Sequence, residues 1–213
     1  MKSVNINLGK IKNAQKDLNI GIGDLSYCLV IGGWASGKSF WLDNIYNQLK
    51  EQMSPEELGF VLLNVSGGAE EINNEYIIEE HISNECLGPL AEYAELARQR
   101  SNGDEAKDRH IIVHIEGNDL ALTNERSKYF NSITLLASNA KNANMSLIIV
   151  DNRANEQQTP PEITKLCRLI ALFSSNNYLP NAKYIGAAKS KLDKFEKQII
   201  LNNETYILER LKT

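Results

Sequence analysis

The sequence predicts an α/β domain built on a largely parallel sheet with helices on both faces. Three observations carry that expectation. Short apolar runs recur at 27–31, 60–65, 110–115, 146–150 and 169–174. Strands buried on both faces read as such continuous runs. Stretches with apolar residues at helical spacing lie between them, and strands alternating with helices mean parallel pairing. Polar loops at 32–39, 64–68, 116–119 and 151–153 follow four of these runs, and in such sheets a ligand sits beyond the carboxyl ends of the strands.

The elements follow in order. Residues 4–8 and 18–22 alternate apolar and polar at period two, which predicts a short hairpin at a sheet edge. The run 27–31 reads as the first buried strand. A turn follows in which Gly32, Gly37, Lys38 and Ser39 fill G-x-x-x-x-G-K-[ST] completely. That spacing has a physical reason. The loop wraps a phosphate with backbone N–H groups, so it needs residues that tolerate unusual φ/ψ and close approach. The helix behind it aims its N-terminal dipole at the same anion. Lys38 is expected at the β/γ phosphates, and the Ser39 hydroxyl on Mg²⁺. Gly33, Trp34, Ala35 and Ser36 complete the loop, and Phe40 opens the helix. The expected fold is therefore a P-loop nucleotide-triphosphatase, a RecA-like three-layer sandwich with edge hairpins, and its expected ligands are ATP and Mg²⁺.

A helix is predicted over 38–53, with Phe40, Trp41, Ile45 and Leu49 near helical spacing. After the turn at 54–57 comes the strand 60–65. Residues 69–84 are polar and acidic and predict an irregular connection with a short strand. A helix over 87–99 buries Leu90, Tyr93, Ala94 and Ala97. The strand 110–115 leads into Glu116, and a helix over 124–142 presents Tyr129, Ile133, Leu136, Ala137 and Ala140 inward. The strand 146–150 ends in Asp151, Asn152 and Arg153. Pro160 and Pro161 open a short helix. A fifth strand covers 169–174, a short helix or turn 183–192, and a hairpin pairs 199–201 with 205–208 across Asn202 and Asn203.

Composition narrows the function. The 213 residues suit one α/β domain. No apolar stretch approaches the ~20 residues of a membrane span, and residues 1–7 lack the apolar core of a signal peptide. A cytoplasmic domain is expected. The net charge of −4 is no electrostatic footprint for nucleic acid. Cys28, Cys86 and Cys167 are widely spaced with no C-x-x-C, which argues against disulfides and zinc. His81, His110 and His114 show no ligand pattern, and His114 reads as a satisfied core histidine.

Beyond the P-loop, several stretches are similar to the FtsK/SpoIIIE branch of P-loop ATPases. Leu8-Gly9-Lys10 resembles the opening of those modules. Residues 60–65 resemble their second strand, with Asn-Val-Ser where the family has an Asp-Pro-Lys type loop. Residues 134–153 resemble the family's hARxGRAxGhHLhhATQRP stretch, with Asn152-Arg153 in the place of Gln-Arg. The strand at 111–120 departs from the family's hhhhDEhxDL. A gap-free overlay puts Ile115 on the Asp and Glu116 on the Glu. An overlay shifted by one makes Glu116 the metal-side carboxylate and leaves Gly117 without a base. Either way one carboxylate is missing.

The resemblance implies the following. Glu116 and Asn152 are the catalytic residues, and residues 32–40 bind the nucleotide. An intact P-loop with a degenerate hydrolytic strand is similar to the later ATPase modules of type VII secretion coupling proteins, the EssC/EccC kind. That implies weak or absent hydrolysis, tandem ATPase modules in a membrane-anchored parent chain, and recognition of small helical WXG100-type substrates. DNA is disfavoured as a partner. The alternative is an active DNA translocase or conjugative-coupling ATPase of the FtsK/HerA class. A substrate groove is expected on the flank near 160–168 and 183–192, walled by Ile163, Leu166 and Leu179. Arg98, Arg100 and Arg153 are the arginines considered for reaching a neighbour's γ-phosphate.

Overall fold

A computed structural model of the chain describes residues 3–14, 16–64, 72–117, 119–152, 156–157, 159–174, 192 and 196–209. The expected helix or turn at 183–192, apart from Leu192, lies outside the described residues, as do the loop positions 65–68 and Arg153 and Leu179.

The chain begins with the predicted hairpin, β1 (Asn5–Lys10) against β2 (Asp17–Gly21), which forms its own two-stranded sheet. The alternation buries Ile6, Leu8, Leu18 and Ile20 and leaves Asn5, Asp17 and Asn19 outside. Then follow β3 (Tyr27–Ile31), α1 (Lys38–Gln52), β4 (Leu58–Leu63), β5 (Ile77–His81), α2 (Leu87–Asn102), β6 (His110–Glu116), α3 (Arg126–Asn139), β7 (Met145–Asp151), α4 (Pro161–Thr164), β8 (Leu169–Phe173), β9 (Lys197–Leu201) and β10 (Glu204–Leu208). Among the described residues the main sheet has eight strands in the order β10-β9-β8-β3-β7-β6-β4-β5. The pairs from β8 through β5 are parallel, and β9 and β10 add an antiparallel hairpin at one edge. The fold class expected from the sequence is therefore present, with β9–β10 as an edge hairpin; the hairpin of β1 and β2 forms, but as a sheet of its own and not at an edge of the main one.

Two cores flank this sheet. On one face α1 and the β1–β2 hairpin bury Trp41, Ile45, Tyr46 and Leu49 against Val30, Phe60, Ile112 and Ile148. On the other, α2 and α3 bury Leu90, Ala97, Tyr129 and Ile133 against Leu29, Val113, Ile115 and Leu147. Residues of one strand alternate between these cores because the strand period is two. Ile163 lies in the second core, and Leu166 packs half-buried against it. The expected groove wall is thus corrected at Ile163, which is part of the core, while Leu166 stays half-buried at its margin.

The hairpin is fastened to α1 by side chains that act as a strand would. The amide of Gln48 accepts from the Asn7 N–H at 2.7 Å and donates to the Asn7 carbonyl at 3.0 Å. Gln52 does the same for Asn5 at 3.1 and 2.8 Å. Four helical residues rise about 6 Å and two strand residues about 6.6 Å, so the two spacings match. Trp41 adds a bond from Nε1 to the Leu8 carbonyl. Because the Asn7 bonds are partly buried and those of Asn5 exposed, Gln48→Ala is expected to cost about 2 kcal/mol and Gln52→Ala less than about 1 kcal/mol. Urea unfolding of both variants measures this; equal losses contradict the burial argument.

Candidate nucleotide site

β3 ends at Ile31 beside Asp151 at the end of β7, and Glu116 at the end of β6 pairs with Val150. Three stretches far apart in sequence thereby meet at one edge of the sheet. Backbone bonds continue beyond the strands: Gly32 N–H donates to Asp151 O at 3.1 Å, and Gly117 N–H to Val150 O at 2.8 Å. Asn64, at the end of β4 with φ 57°, donates from Nδ2 to Glu116 O at 2.7 Å.

The loop between β3 and α1 takes its shape from its glycines. A Cβ on Gly32 would lie 2.6 Å from Phe173 Cβ and 2.7 Å from Ser36 Oγ. Gly37, with φ 94°, turns the chain into the first residue of α1. Ala35 also has positive φ, 54°, an uncommon state for a non-glycine residue. The first turn of α1 presents N–H groups without intrahelical partners.

Lys38 is buried, and its ammonium donates to Gly32 O at 2.5 Å, Gly33 O at 3.0 Å and Asn152 Oδ1 at 3.0 Å. These contacts use all three ammonium donors. Burial lowers its pKa, and the nearby Glu116 and Asp151 carboxylates oppose that shift. Ser36 Oγ is buried without a hydrogen-bond partner among the described residues. Trp34, Ala35, Ser36, Gly37, Lys38, Ser39, Phe40, Glu116, Gly117, Val150 and Asn152 surround one cleft of about 370 Å³, within the range of small-molecule sites. Trp34 is 88% exposed and Phe40 55%, so two aromatic rings stand at its rim.

The cleft thus brings together Glu116, Asn152 and residues 34–40, with Gly32 and Gly33 held through their carbonyls to Lys38. The arginines considered for a neighbour's site stand otherwise. Arg98 pairs with Glu95 at 2.5 Å, and Arg100 donates to Arg109 O at 3.0 Å beside the start of β6, the end of that strand away from the cleft. Ile115 is 1% exposed in the core shared with α2 and α3, whereas Glu116 belongs to the α1 face. An acid at position 115 would enter that core and not the cleft.

His114 departs from its expected role. Tyr46 Oη meets Nδ1 at 3.1 Å, but the buried Nε2 has no hydrogen-bond partner among the described residues and lies 3.9 Å from Glu116 Oε1. The satisfied histidine is His110, between Asn144 Oδ1 at 2.8 Å and Ser146 Oγ at 3.0 Å. His114 stands two residues before Glu116 on one strand, so both point to the same face; that spacing was the available signal in the sequence.

Fold and site together define a domain with the P-loop ATPase fold. Solved structures it is similar to include secretion and conjugation ATPases and a viral genome packaging NTPase. ATPases 2 and 3 of EccC from Thermomonospora curvata, solved in complex with a signal sequence peptide, match 99% of this chain at 15% identity with a TM-score of 0.75. ATPases 2 and 3 of EssC from Geobacillus thermodenitrificans match 99% at 12% identity, also with a TM-score of 0.75. The pCW3 conjugation coupling protein TcpA, solved with ATPγS, matches 97% at 14% identity with a TM-score of 0.75. The chain spans 41%, 45% and 65% of those three chains, respectively. No protein-family model and no curated protein matches the sequence. The resemblance read from the sequence is met at the level of fold.

Two substitutions test this geometry. Gly32→Ala is expected to lower stability by about 2 kcal/mol, since Phe173 Cβ is not the free end of a side chain. Ile115→Asp is expected to cost on the order of 4 kcal/mol, because it buries a carboxylate among apolar groups. Thermal and urea unfolding read both. A stable Ile115→Asp variant would show that position 115 reaches water.

Proposed function

We propose that the domain binds Mg-ATP and hydrolyses it weakly or not at all, as one ATPase module of a type VII secretion motor. The observation that carries this reading is the convergence of Lys38, Asn152 and Glu116 behind a complete P-loop, with Ile115 turned into the core.

The donor set fits the ligand. Residues 32–39 offer backbone N–H groups and the α1 dipole to phosphates. Lys38, now held by Gly32 O, Gly33 O and Asn152 Oδ1, exchanges carbonyl partners for a phosphate when one enters. The Ser39 hydroxyl and Glu116 supply hard oxygen donors of the kind Mg²⁺ takes. When bound, the metal neutralises charge on the β- and γ-phosphates. Trp34 and Phe40 offer stacking faces at the rim.

Since Glu116 faces α1, it takes the metal-side role, which leaves β6, among the described residues, without a second carboxylate to polarise water. Metal positioning and water activation are transition-state terms, so binding survives while turnover falls. Similarity to the two-module fragments of EccC and EssC, of which this chain spans 41% and 45%, supports tandem modules in a parent chain; a membrane anchor on that parent is part of the proposal. The complex of the EccC fragment with a signal sequence peptide supports recognition of a signal peptide, and a small helical WXG100-type substrate is the one proposed. The second reading, a conjugative-coupling or DNA-translocating ATPase, is favoured by the similarity to TcpA.

Calorimetric titration with Mg-ATP is expected to give binding that weakens at least about tenfold, roughly 1.4 kcal/mol, in Lys38→Ala. Equal affinities, or no binding by the wild type, reject the nucleotide site. Turnover is expected below about 1 s⁻¹. Faster turnover, stimulated by duplex DNA at physiological salt, favours the second reading.

A further inference from the structure

β6 places Ile112, His114 and Glu116 on the α1 face. His114 is 4% exposed and lies between Leu62 of β4 and Ile148 of β7. Tyr46 of α1, 2% exposed, covers it: the ring centroids are 5.8 Å apart, and the phenol reaches Nδ1. Tyr46 is itself fixed by an edge contact with Phe60 at 5.0 Å.

A neutral imidazole has one N–H. Were it on Nδ1, the lone pair of Nε2 would face the Glu116 carboxylate, acceptor against acceptor. With Tyr46 donating to Nδ1, the N–H falls on Nε2 and points at Glu116. The 3.9 Å between Nε2 and Oε1 is about 1 Å beyond a hydrogen bond. A buried donor left unmade is costly, so the unpaired N–H favours a carboxylate drawn toward it.

We infer that His114 is a positioning residue: locked by Tyr46, it presents Nε2–H to Glu116 and orients that carboxylate in the cleft. This rests on the reading of the cleft as a Mg-nucleotide site. Outer hydrogen bonds of this kind set the direction and basicity of a metal-side ligand. Nothing in the P-loop itself requires a histidine here.

The test is calorimetry with ATP, in Mg²⁺ and in EDTA; the readout is the ratio of the two affinities. His114→Phe is expected to reduce that ratio about tenfold and leave the metal-free affinity within about twofold. His114→Gln, which keeps an N–H near the place of Nε2, is expected to recover most of the ratio. In a Glu116→Gln background His114→Phe is expected to cause no further loss. Nitrogen-15 NMR of the nucleotide-free wild type is expected to show the His114 proton on Nε2, and Tyr46→Phe to admit the other tautomer and lower the ratio. If His114→Phe does not fold, His114→Gln, Tyr46→Phe and the NMR spectrum decide. An unchanged ratio in His114→Phe, an additive loss in the double variant, or a wild-type proton on Nδ1 overturns the inference. Loss of all ATP binding in the wild type, or none in Lys38→Ala, instead removes the nucleotide reading on which it rests.

Discussion

The parallel pairing of β3 with β7, and of β7 with β6, is the constraint from which the site follows. Parallel strands end on the same side, so their carboxyl ends deliver Gly32, Asn152 and Glu116 to one edge although the sequence separates them widely. Lys38 then ties the first two stretches together through its bond to Asn152. The pairing in turn depends on both faces being covered, since a parallel sheet leaves little room for a solvated face.

The two faces are covered by different means. α2 and α3 pack on one side through a core of aliphatic and tyrosine side chains. α1 covers the other with help from the β1–β2 hairpin, whose outward edge is satisfied by Gln48 and Gln52. The hairpin also reaches β10, where Ile11 bridges to Leu208 and Glu209 N–H donates to Lys10 O. The helix that carries the phosphate loop is therefore anchored along its length, and the loop at its N-terminus is held against β8 by the contact of Gly32 with Phe173. A phosphate-binding loop works only if its N–H groups stay aimed, so this anchoring serves the site directly.

Lys38 carries tension between burial and charge. Burial disfavours its ammonium, while Glu116 and Asp151 favour it. Its three backbone and side-chain acceptors keep the cation satisfied when no phosphate is present. Under the proposed nucleotide reading the same acceptors compete with a phosphate, so that ligand entry is an exchange of partners.

Periodicity in the sequence was sufficient for the alternation of strands and helices, because burial on both faces leaves continuous apolar runs. The motif from Gly32 to Ser39 located the loop between β3 and α1, because its glycines are required there by geometry. The acidic stretch before α2 was legible only as a short strand; its parallel place beside β4 came from the sheet. Sequence left open whether Ile115 or Glu116 faces the loop, since a one-residue shift exchanges the two sides of a strand. The register of β6 against β7 decided that, and with it placed His114 beneath Glu116. Ile163 and Leu166 read equally as groove or core in one dimension, and packing made Ile163 core and left Leu166 half-buried against it. Local spacing determines what a stretch can become; which face meets which partner is decided only when the strands pair.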